Sequence, residues 1–255
     1  EVRLEKLSAE LFRDIGKDTV DFVPNYDNTT TEPVLFPTTF PAILVNNNVG
    51  IAVSMASAIC SFNLAEVCES TIGLLKDPDF DLSETLKGPD FPGGGFLIYN
   101  ADELKRIYET GRGSLRVRGR YSFDKASGCI EVTEIPPTTT VEVIIDKIIE
   151  LVKGGKIREI SDIRDETDLS GLKIAIETKR GVDPDKLMQK LFRMTPLEDS
   201  YSCNFNVLIA GMPKVLGAKG ILLEWIDFRR GCVARRVRFD LKKAEDKLHL
   251  LQGLG

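Results

Sequence analysis

Helical and proline-rich patterns alternate over the first hundred residues. Apolar residues at the start recur at the spacing of one helix face: Val2, Leu4, Leu7, Leu11, Phe12 and Ile15. They predict a first helix that begins at the start of the chain and ends at Gly16. Prolines at positions 24, 33, 37 and 41 then forbid long regular elements. Two further helices are predicted, one capped by Asn63 and running to Leu75, the other from Ala101 to Glu109.

Between these patterns, residues 46–57 read NNNVGIAVSMAS and change from polar to apolar after the glycine. A polar turn followed by Ile51, Val53 and Met55 is typical of a turn that enters a buried strand. On the pattern alone, we expect these three side chains to be buried.

Beyond Gly113 the apolar residues alternate with the period of two that is typical of strands. The segments SLRVRGRYSF and GCIEVTEI flank a short DKASG turn and predict a β-hairpin. The elements predicted after it are helices at 140–152 and 183–192 and strands at 159–164, 172–178 and 203–210. The order ββαββαβ indicates an antiparallel sheet covered by helices.

The last segment, from Lys219 to Leu254, is one long helical pattern that is interrupted at most by Gly231. The predicted fold class is therefore α+β, with an antiparallel sheet and covering helices, a mixed layer of loops and helices, and a long C-terminal helix. The predicted domains are residues 1–110, 111–212 and 213–255.

Composition is typical of a globular protein, because 42% of the 255 residues are apolar and 29% are charged. No apolar stretch approaches the roughly 20 residues that span a bilayer, and the first residues lack a signal-peptide layout. We expect a cytoplasmic protein with no membrane partner. Because the chain lacks an initiator methionine and its helical pattern begins at Glu1, we also expect it to be part of a longer polypeptide.

Residues of common active sites are scarce. His249 is the only histidine, so a Ser/His/Asp triad or a multi-histidine metal site lacks its components. No P-loop is present. The cysteines lack the close spacing of zinc sites, and we expect reduced, mostly buried thiols at Cys60, Cys68, Cys129, Cys203 and Cys232. The sequence therefore disfavours an independent small-molecule enzyme and predicts no metal site in this chain.

Basic residues are segregated, although the net charge is −5. One stretch without acids contains Arg112, Arg116, Arg118 and Arg120. On the predicted strand the last three project from one face at intervals of about 6.6–6.8 Å. They could contact successive phosphates of a nucleic acid. Alternatively, they pair with acids on the neighbouring strand, such as Glu131 and Glu134.

A second basic stretch, FRRGCVARRVRF, lies in the predicted C-terminal helix. Helical spacing puts Arg229 and Arg236 on one face, and Arg230, Arg235 and Arg238 spread positive charge around the rest. Charge on all sides of a helix suits a polyanion better than a protein core. The alternative is a solvent-exposed helix whose arginines pair with acids elsewhere in the chain.

Longer motifs run along the whole chain: KDTVDFVPNYDNTTTEPVLFPTTFPAILVNNNVGIAVSMASAICSFNLAEVCESTIGLL, GPDFPGGG, YETGRGSLRVRGRY, VTEIPPTTT, IREISDIRDETD, GLKIAIETKRG and FRRGCVARRVRFDLKKAEDKLHLL. Through them the chain resembles the A subunits of the bacterial type IIA DNA topoisomerases, which are the breakage-reunion subunits of DNA gyrase and topoisomerase IV. The family often has Pro-Pro-His-Asn where this chain has CSFN. That departure looks more like topoisomerase IV or a divergent member than like gyrase, and both assignments stay open.

The resemblance implies an ATP-dependent enzyme that passes one duplex through a transient double-strand break. It assigns the chain to the connecting layer after the winged-helix domain, the tower domain and the start of the helix that leads to the coiled coil. The family's catalytic tyrosine then lies upstream of Glu1, so none of the five tyrosines here is a candidate: Tyr26, Tyr99, Tyr108, Tyr121 and Tyr201. The chain alone is expected to be inactive. Mg and ATP are expected to act through a partner B subunit, and the other expected partners are double-stranded DNA and a second A subunit.

The resemblance also assigns a role to Ile51. Family members insert an isoleucine at this position between base pairs of the bound duplex, which bends it. We therefore predict that Ile51 contacts DNA while Val53 and Met55 enter the core. The predicted DNA-binding residues are Ile51, Asn48, Gly50, Arg112, Arg116, Arg118, Arg120, Arg229, Arg230, Arg235 and Arg236. The competing hypothesis is a structural or subunit-interaction part that makes no direct DNA contact.

Overall fold

The computed structural model describes residues 2–254. Its helices are α1 (Ala9–Phe12), α2 (Ala42–Val45), α3 (Leu64–Lys76), α4 (Ala101–Thr110), α5 (Val141–Lys153), α6 (Pro184–Met194) and α7 (Ala218–Gly253). Its strands are β1 (Phe22–Pro24), β2 (Thr31–Pro33), β3 (Asn48–Gly50), β4 (Ser57–Ile59), β5 (Phe96–Ile98), β6 (Arg112–Arg118), β7 (Arg120–Asp124), β8 (Cys129–Glu134), β9 (Ile160–Asp165), β10 (Ile174–Thr178), β11 (Glu198–Asn204), β12 (Asn206–Ile209) and β13 (Met212–Val215). These elements form two compact units. Of the described residues, the first unit contains 2–46, 64–86 and 218–254, and the second contains 47–63 and 87–217.

The second unit is built on two antiparallel sheets. The larger has the strand order β3-β4-β11-β6-β5, and the smaller has the order β7-β8-β10-β9. Strands β12 and β13 form a separate hairpin. Together with the helices, these sheets confirm the predicted α+β fold class.

The four-stranded sheet and its helices enclose an apolar core. Alternation along β8 and β10 turns Val132 and Ile176 into this core, where α5 contributes Ile148 and α6 contributes Leu191. Both helices begin at side-chain caps, since the Thr140 hydroxyl accepts from the Val143 N–H at 3.4 Å, and the Asp183 carboxylate accepts from the N–H groups of residues 185 and 186. The helices predicted at 140–152 and 183–192 are thereby confirmed.

Two predicted strands of the second unit were wrong in their extent. The segment SLRVRGRYSF is interrupted at Gly119, so that β6 joins the larger sheet and only β7 forms the predicted hairpin with β8. A Cβ at Gly119 would lie 2.7 Å from the carbonyl oxygen of Glu134, and the Gly119 N–H donates to the carbonyl of Leu197 at 2.8 Å. The strand predicted at 203–210 is divided between β11 and β12, which both lie outside the four-stranded sheet. A local pattern identifies strands but does not identify the sheet that each one joins.

The first unit contains the long helix. Helix α7 has 36 residues, as predicted, and its buried side chains recur at helical spacing in its first half: Ala218, Ile221, Leu222, Ile226 and Cys232. The predicted helix 1–16 was too long. Helix α1 has four residues, and Asp14 and Asp18 adopt positive φ angles of 62° and 54°, which ends regular helix there. Glu1, where that helix was predicted to begin, lies outside the described residues.

Among residues 2–254, no helix is both long enough and apolar enough to span a membrane. The five cysteines are free thiols, and all are buried except the half-buried Cys68, as predicted. The division into domains at residues 110 and 212 stays a prediction.

Candidate nucleic-acid interface

Residues 48–59 form an antiparallel hairpin. Strands β3 and β4 pair in a register that places Gly50 opposite Ser57. Residues 51–56 connect the two strands and are called the hairpin loop below. Inside it, the Met55 N–H donates to the carbonyl of Ala52 at 3.4 Å, which closes a turn.

The hairpin loop exposes its apolar side chains. Ile51 is 94% exposed, as the resemblance implied, whereas the pattern alone predicted its burial. The prediction that Val53 and Met55 enter the core was wrong, because Val53 is fully exposed and Met55 is 38% exposed. These residues belong to the turn beyond the last strand pair, where a side chain has no neighbouring strand to pack against. An apolar loop tip is therefore available to a partner.

The polar residues predicted beside Ile51 are also exposed. Asn48 and Gly50 lie on β3, an edge strand of the larger sheet. A Cβ at Gly50 would meet no atom within 4 Å in the chain, so this face of the hairpin is open.

Two asparagines hold the end of the hairpin loop, Asn204 at the end of β11 and Asn206 at the start of β12. The Asn204 side-chain amide donates to the carbonyl of Ala56 at 2.9 Å, and that of Asn206 donates to the same oxygen at 3.4 Å. The Ser57 hydroxyl in turn donates to the carbonyl of Asn206 at 2.9 Å. Neither asparagine was predicted from the sequence, since a contact across 148 residues leaves no local pattern.

Strand β6 presents arginines on one face, as predicted. Arg116 and Arg118 flank the buried Val117, and both donate to Glu198 on β11. The Glu198 carboxylate is 10% exposed. Its burial acts to raise its pKa, but the hydrogen bonds from the two guanidinium groups outweigh burial and lower the pKa overall. The guanidinium of Arg118 also lies 4.5 Å from the ring centroid of Phe192.

Arg120 is separated from these two arginines because it begins β7 in the other sheet. It forms an ion pair with Glu134 at 3.2 Å, and its guanidinium lies 4.8 Å from the ring centroid of Phe96. The predicted row of three arginines on one strand was therefore wrong. The proposed partner Glu134 was right for Arg120, whereas Glu131 pairs with Lys173.

Arg112 lies at the exposed start of β6 and forms no ion pair among the described residues. On helix α7 in the first unit, Arg230 is likewise exposed and forms no ion pair among residues 2–254. Neighbouring Arg229 donates to the carbonyl of Pro37 at 3.2 Å. Arg112 and Arg230 are thus the predicted DNA-binding arginines whose guanidinium groups are not engaged within the described chain.

The other two arginines predicted on α7 hold loop residues of the first unit. Arg235 donates to Asp18 and Asp21 at 2.9 and 2.8 Å, and Arg236 donates to Asp14 at 3.3 Å. The prediction that they bind DNA stays a prediction, and a phosphate would have to compete with these carboxylates.

No group of three or more His, Cys, Asp or Glu side chains is arranged to hold a metal ion anywhere in residues 2–254. Tyr121 and Tyr201 of the second unit lack the lowered pKa of an activated nucleophile. Burial and the hydrogen bond to Asp185 raise the pKa of Tyr121 to about 12, and burial raises the pKa of Tyr201 as well.

Comparison with known proteins identifies the class of this α+β chain. The family of DNA gyrase and topoisomerase IV A subunits matches residues 1–255, and the chain belongs to that family. Individual relatives agree with this assignment. The chain is 40% identical to the DNA gyrase A subunit of Borreliella burgdorferi, and 42% identical to the proteins of that name from Granulibacter bethesdensis and Lawsonia intracellularis. Each alignment covers 100% of this chain but only 32%, 28% and 32% of the respective relative, so the chain spans about a third of their length.

Proposed function

We propose that this chain is the DNA-binding and DNA-bending part of the A subunit of an ATP-dependent type IIA topoisomerase. The complete enzyme passes one duplex through a transient double-strand break in another and so changes DNA topology. The observation that carries the proposal is the 94% exposure of Ile51 at the tip of a hairpin. Transfer of such a solvent-exposed apolar side chain from water into a stack of bases lowers the free energy.

The magnitudes are consistent with a wedge. Burying an isoleucine side chain contributes about 1.5–3 kcal/mol, while unstacking one base step costs roughly a few kcal/mol. Insertion of Ile51 thus recovers much of the cost of the kink. The remainder comes from contacts between the bent duplex and basic groups, of which Arg112 and Arg230 are free to bind phosphate without breaking an ion pair within the described chain.

The remaining chemistry is assigned to groups outside this chain. The nucleophilic tyrosine is proposed to lie upstream of Glu1, and Mg and ATP are proposed to act through a B subunit. Among residues 2–254, the His, Cys, Asp and Glu side chains form no group of three or more that could hold the Mg ion. A second copy of the A subunit completes the proposed assembly. Because the proposed substrate of this assembly is DNA, we propose a cytoplasmic location.

Replacing Ile51 with alanine tests the wedge. The change removes about 2 kcal/mol of burial, so the ratio of bent to straight DNA is expected to fall roughly thirtyfold. Bending is measured by energy transfer between dyes at the two ends of a short duplex, with the 255-residue chain and with the complete subunit. Cleavage by the complete enzyme is expected to fall with it. Because Ile51 is exposed, the free energy of unfolding should change by less than about 0.5 kcal/mol.

Leu169→Ala is the matched control, because Leu169 is also a fully exposed apolar residue of a turn in the second unit. It is expected to leave DNA bending unchanged. Equal bending by the wild type and the Ile51→Ala variant would refute the wedge.

A second candidate function is a structural or subunit-interaction part with no direct DNA contact. The ion pairs of Arg116, Arg118 and Arg120 with acids of the same chain favour it. Neutralising these arginines distinguishes the two functions through the slope of log affinity against log salt, which changes by about 0.9 for each phosphate contact that is lost. An unchanged slope assigns the three arginines to the structural role, and undetectable DNA binding by the complete subunit supports the second function as a whole.

A further inference from the structure

We propose that Asn204, assisted by Asn206, is a positioning residue that fixes the hairpin loop so that Ile51 meets the DNA at a constant height. This inference rests on the proposed function of Ile51 as a wedge. It assigns to the amide of Asn204 a role in DNA bending that acts entirely through the loop, since Asn204 itself contacts Ala56.

The sheet provides only a short attachment for the hairpin. Strand β11 pairs with β6 along its whole length, from Glu198 to Asn204. The same strand pairs with β4 at one position, Asn204 opposite Ala58. The hairpin of β3 and β4 is therefore joined to a well-supported central strand by very little backbone pairing, and side chains must supply the rest of the attachment.

Side-chain bonds supply that attachment at the point where the hairpin loop ends. The carbonyl of Ala56 accepts from Asn204 and Asn206, and the hydroxyl of Ser57 donates back to the Asn206 carbonyl. A longer hydrogen bond of 3.5 Å runs from the Tyr201 hydroxyl to the side-chain oxygen of Asn47, the residue just before β3. The last residue of the loop is thus held by the end of β11 and the start of β12.

The environment of Asn204 indicates that the bond to Ala56 is the reason for an asparagine there. Its side-chain oxygen is buried and accepts no hydrogen bond among the described residues. Leaving a buried acceptor unpaired is costly, and an apolar side chain would avoid that cost. The donor half of the same amide is used, and its acceptor is the Ala56 carbonyl at 2.9 Å.

The loop itself does not supply the missing rigidity. The turn bond from Met55 to Ala52 is long, at 3.4 Å, and Ile51 lies directly before this turn. The position of Ile51 is then set by β3 on one side and by the fastened Ala56 on the other. When Ile51 inserts between base pairs, the stacked bases push back on the hairpin loop. If Ala56 is not held, the loop moves and the base pairs stay stacked.

Asn204→Ala tests the inference with two measurements. Loss of one hydrogen bond of ordinary net strength changes an equilibrium about fivefold, so the ratio of bent to straight DNA is expected to fall about fivefold in the energy-transfer assay. Without DNA, hydrogen exchange of the amides in residues 51–56 is expected to become faster. Asn206→Ala, which removes the longer bond, is expected to shift both measurements in the same direction by less, and it remains informative if the first variant folds poorly.

A double-variant cycle separates positioning from general stability. If Asn204 acts through Ile51, Asn204→Ala has no further effect on bending in the Ile51→Ala background. Asn100→Ala is the matched control, because it removes the N-cap bond of α4 at 3.1 Å and should lower the unfolding temperature without changing bending.

Unchanged exchange in the loop of the Asn204→Ala variant overturns the inference, as does an equal loss of bending in both backgrounds. The proposed function fails by a different result. If Ile51→Ala bends DNA as the wild type does, the wedge is refuted, whereas the exchange measurement still reports on the attachment of the loop.

Discussion

Replacing Glu198 with glutamine separates the structural role of the β6 arginines from their proposed role on DNA. The Glu198 carboxylate accepts three hydrogen bonds, from Nε and Nη2 of Arg116 at 3.0 and 2.7 Å and from Nε of Arg118 at 2.8 Å. The Nη2 of Arg118 also lies 2.7 Å from the carboxylate as an ion pair. Glutamine keeps the shape and one acceptor but loses the charge. The change should therefore weaken these bonds without creating a cavity.

The size of the effect follows from exposure. Arg116 and Arg118 are 54% and 33% exposed, so solvent screens each pair to about 0.2–1 kcal/mol, with the more buried pair at the upper end. Together the pairs are expected to contribute about 0.4–2 kcal/mol at pH 7. For a chain of this size, the unfolding temperature should fall by roughly 1–8 °C.

The effect should also depend on pH. Because the pKa of Glu198 is lowered in the folded state, its contribution is present above the unfolded value, about 4.3, and is lost as the pH falls through the folded pKa. The difference in free energy of unfolding between the wild type and Glu198→Gln, from urea titrations, should therefore shrink below about pH 4.3. Glu69→Gln is the control, since Glu69 is exposed on α3 and makes no side-chain bond among the described residues. Equal stabilities at pH 7, or a difference that persists unchanged to pH 3, would refute the reasoning.

Three further predictions concern stability and thiol chemistry. Gly111→Ala should destabilise the chain by about 2 kcal/mol or more in urea titrations, because residue 111 has a φ of 73° and a Cβ there would lie 2.1 Å from the carbonyl oxygen of Leu216; a loss below about 0.5 kcal/mol would contradict this. Arg235→Ala should make the segment that contains its two aspartate partners more sensitive to a protease, and an unchanged cleavage rate would show that the ion pairs do not hold it. Cys68, which is half-buried, should react first with a thiol reagent, whereas the fully buried Cys60, whose pKa is raised by burial, should react only on unfolding; equal rates would contradict the burial.

The sequence predicted elements with a strong local period and a local signal for their ends. Helices α5 and α6 have an apolar face and a capping side chain, and α7 maintains a helical pattern over ten turns, so each was found close to its observed bounds. The interruption at Gly119 was missed, because it depends on a close approach to Glu134 that is visible only in three dimensions.

The candidate site was less predictable because its features depend on distant residues. Alternation with a period of two shows which residues share one face of a strand. It does not show whether another element packs against that face. Val53 was wrongly assigned to the core for this reason. The exposure of Ile51 followed from the family resemblance and not from the pattern. Arg116 and Glu198 are separated by 82 residues, so their pairing could not be read from either segment alone.

The hydrogen bond between Gly119 and Leu197 has a consequence for the architecture of the second unit. The chain enters the four-stranded sheet after Gly119 and leaves it before Leu197. Residues 120–196 therefore form an insertion between two flanking residues that are joined by a hydrogen bond of 2.8 Å. An insertion with adjoining ends is one that a scaffold tolerates and can lose. We expect that a short glycine linker could replace it while β6 and β11 remain paired. We therefore expect that residues 120–196 can be replaced by another segment without changing the hairpin that carries Ile51.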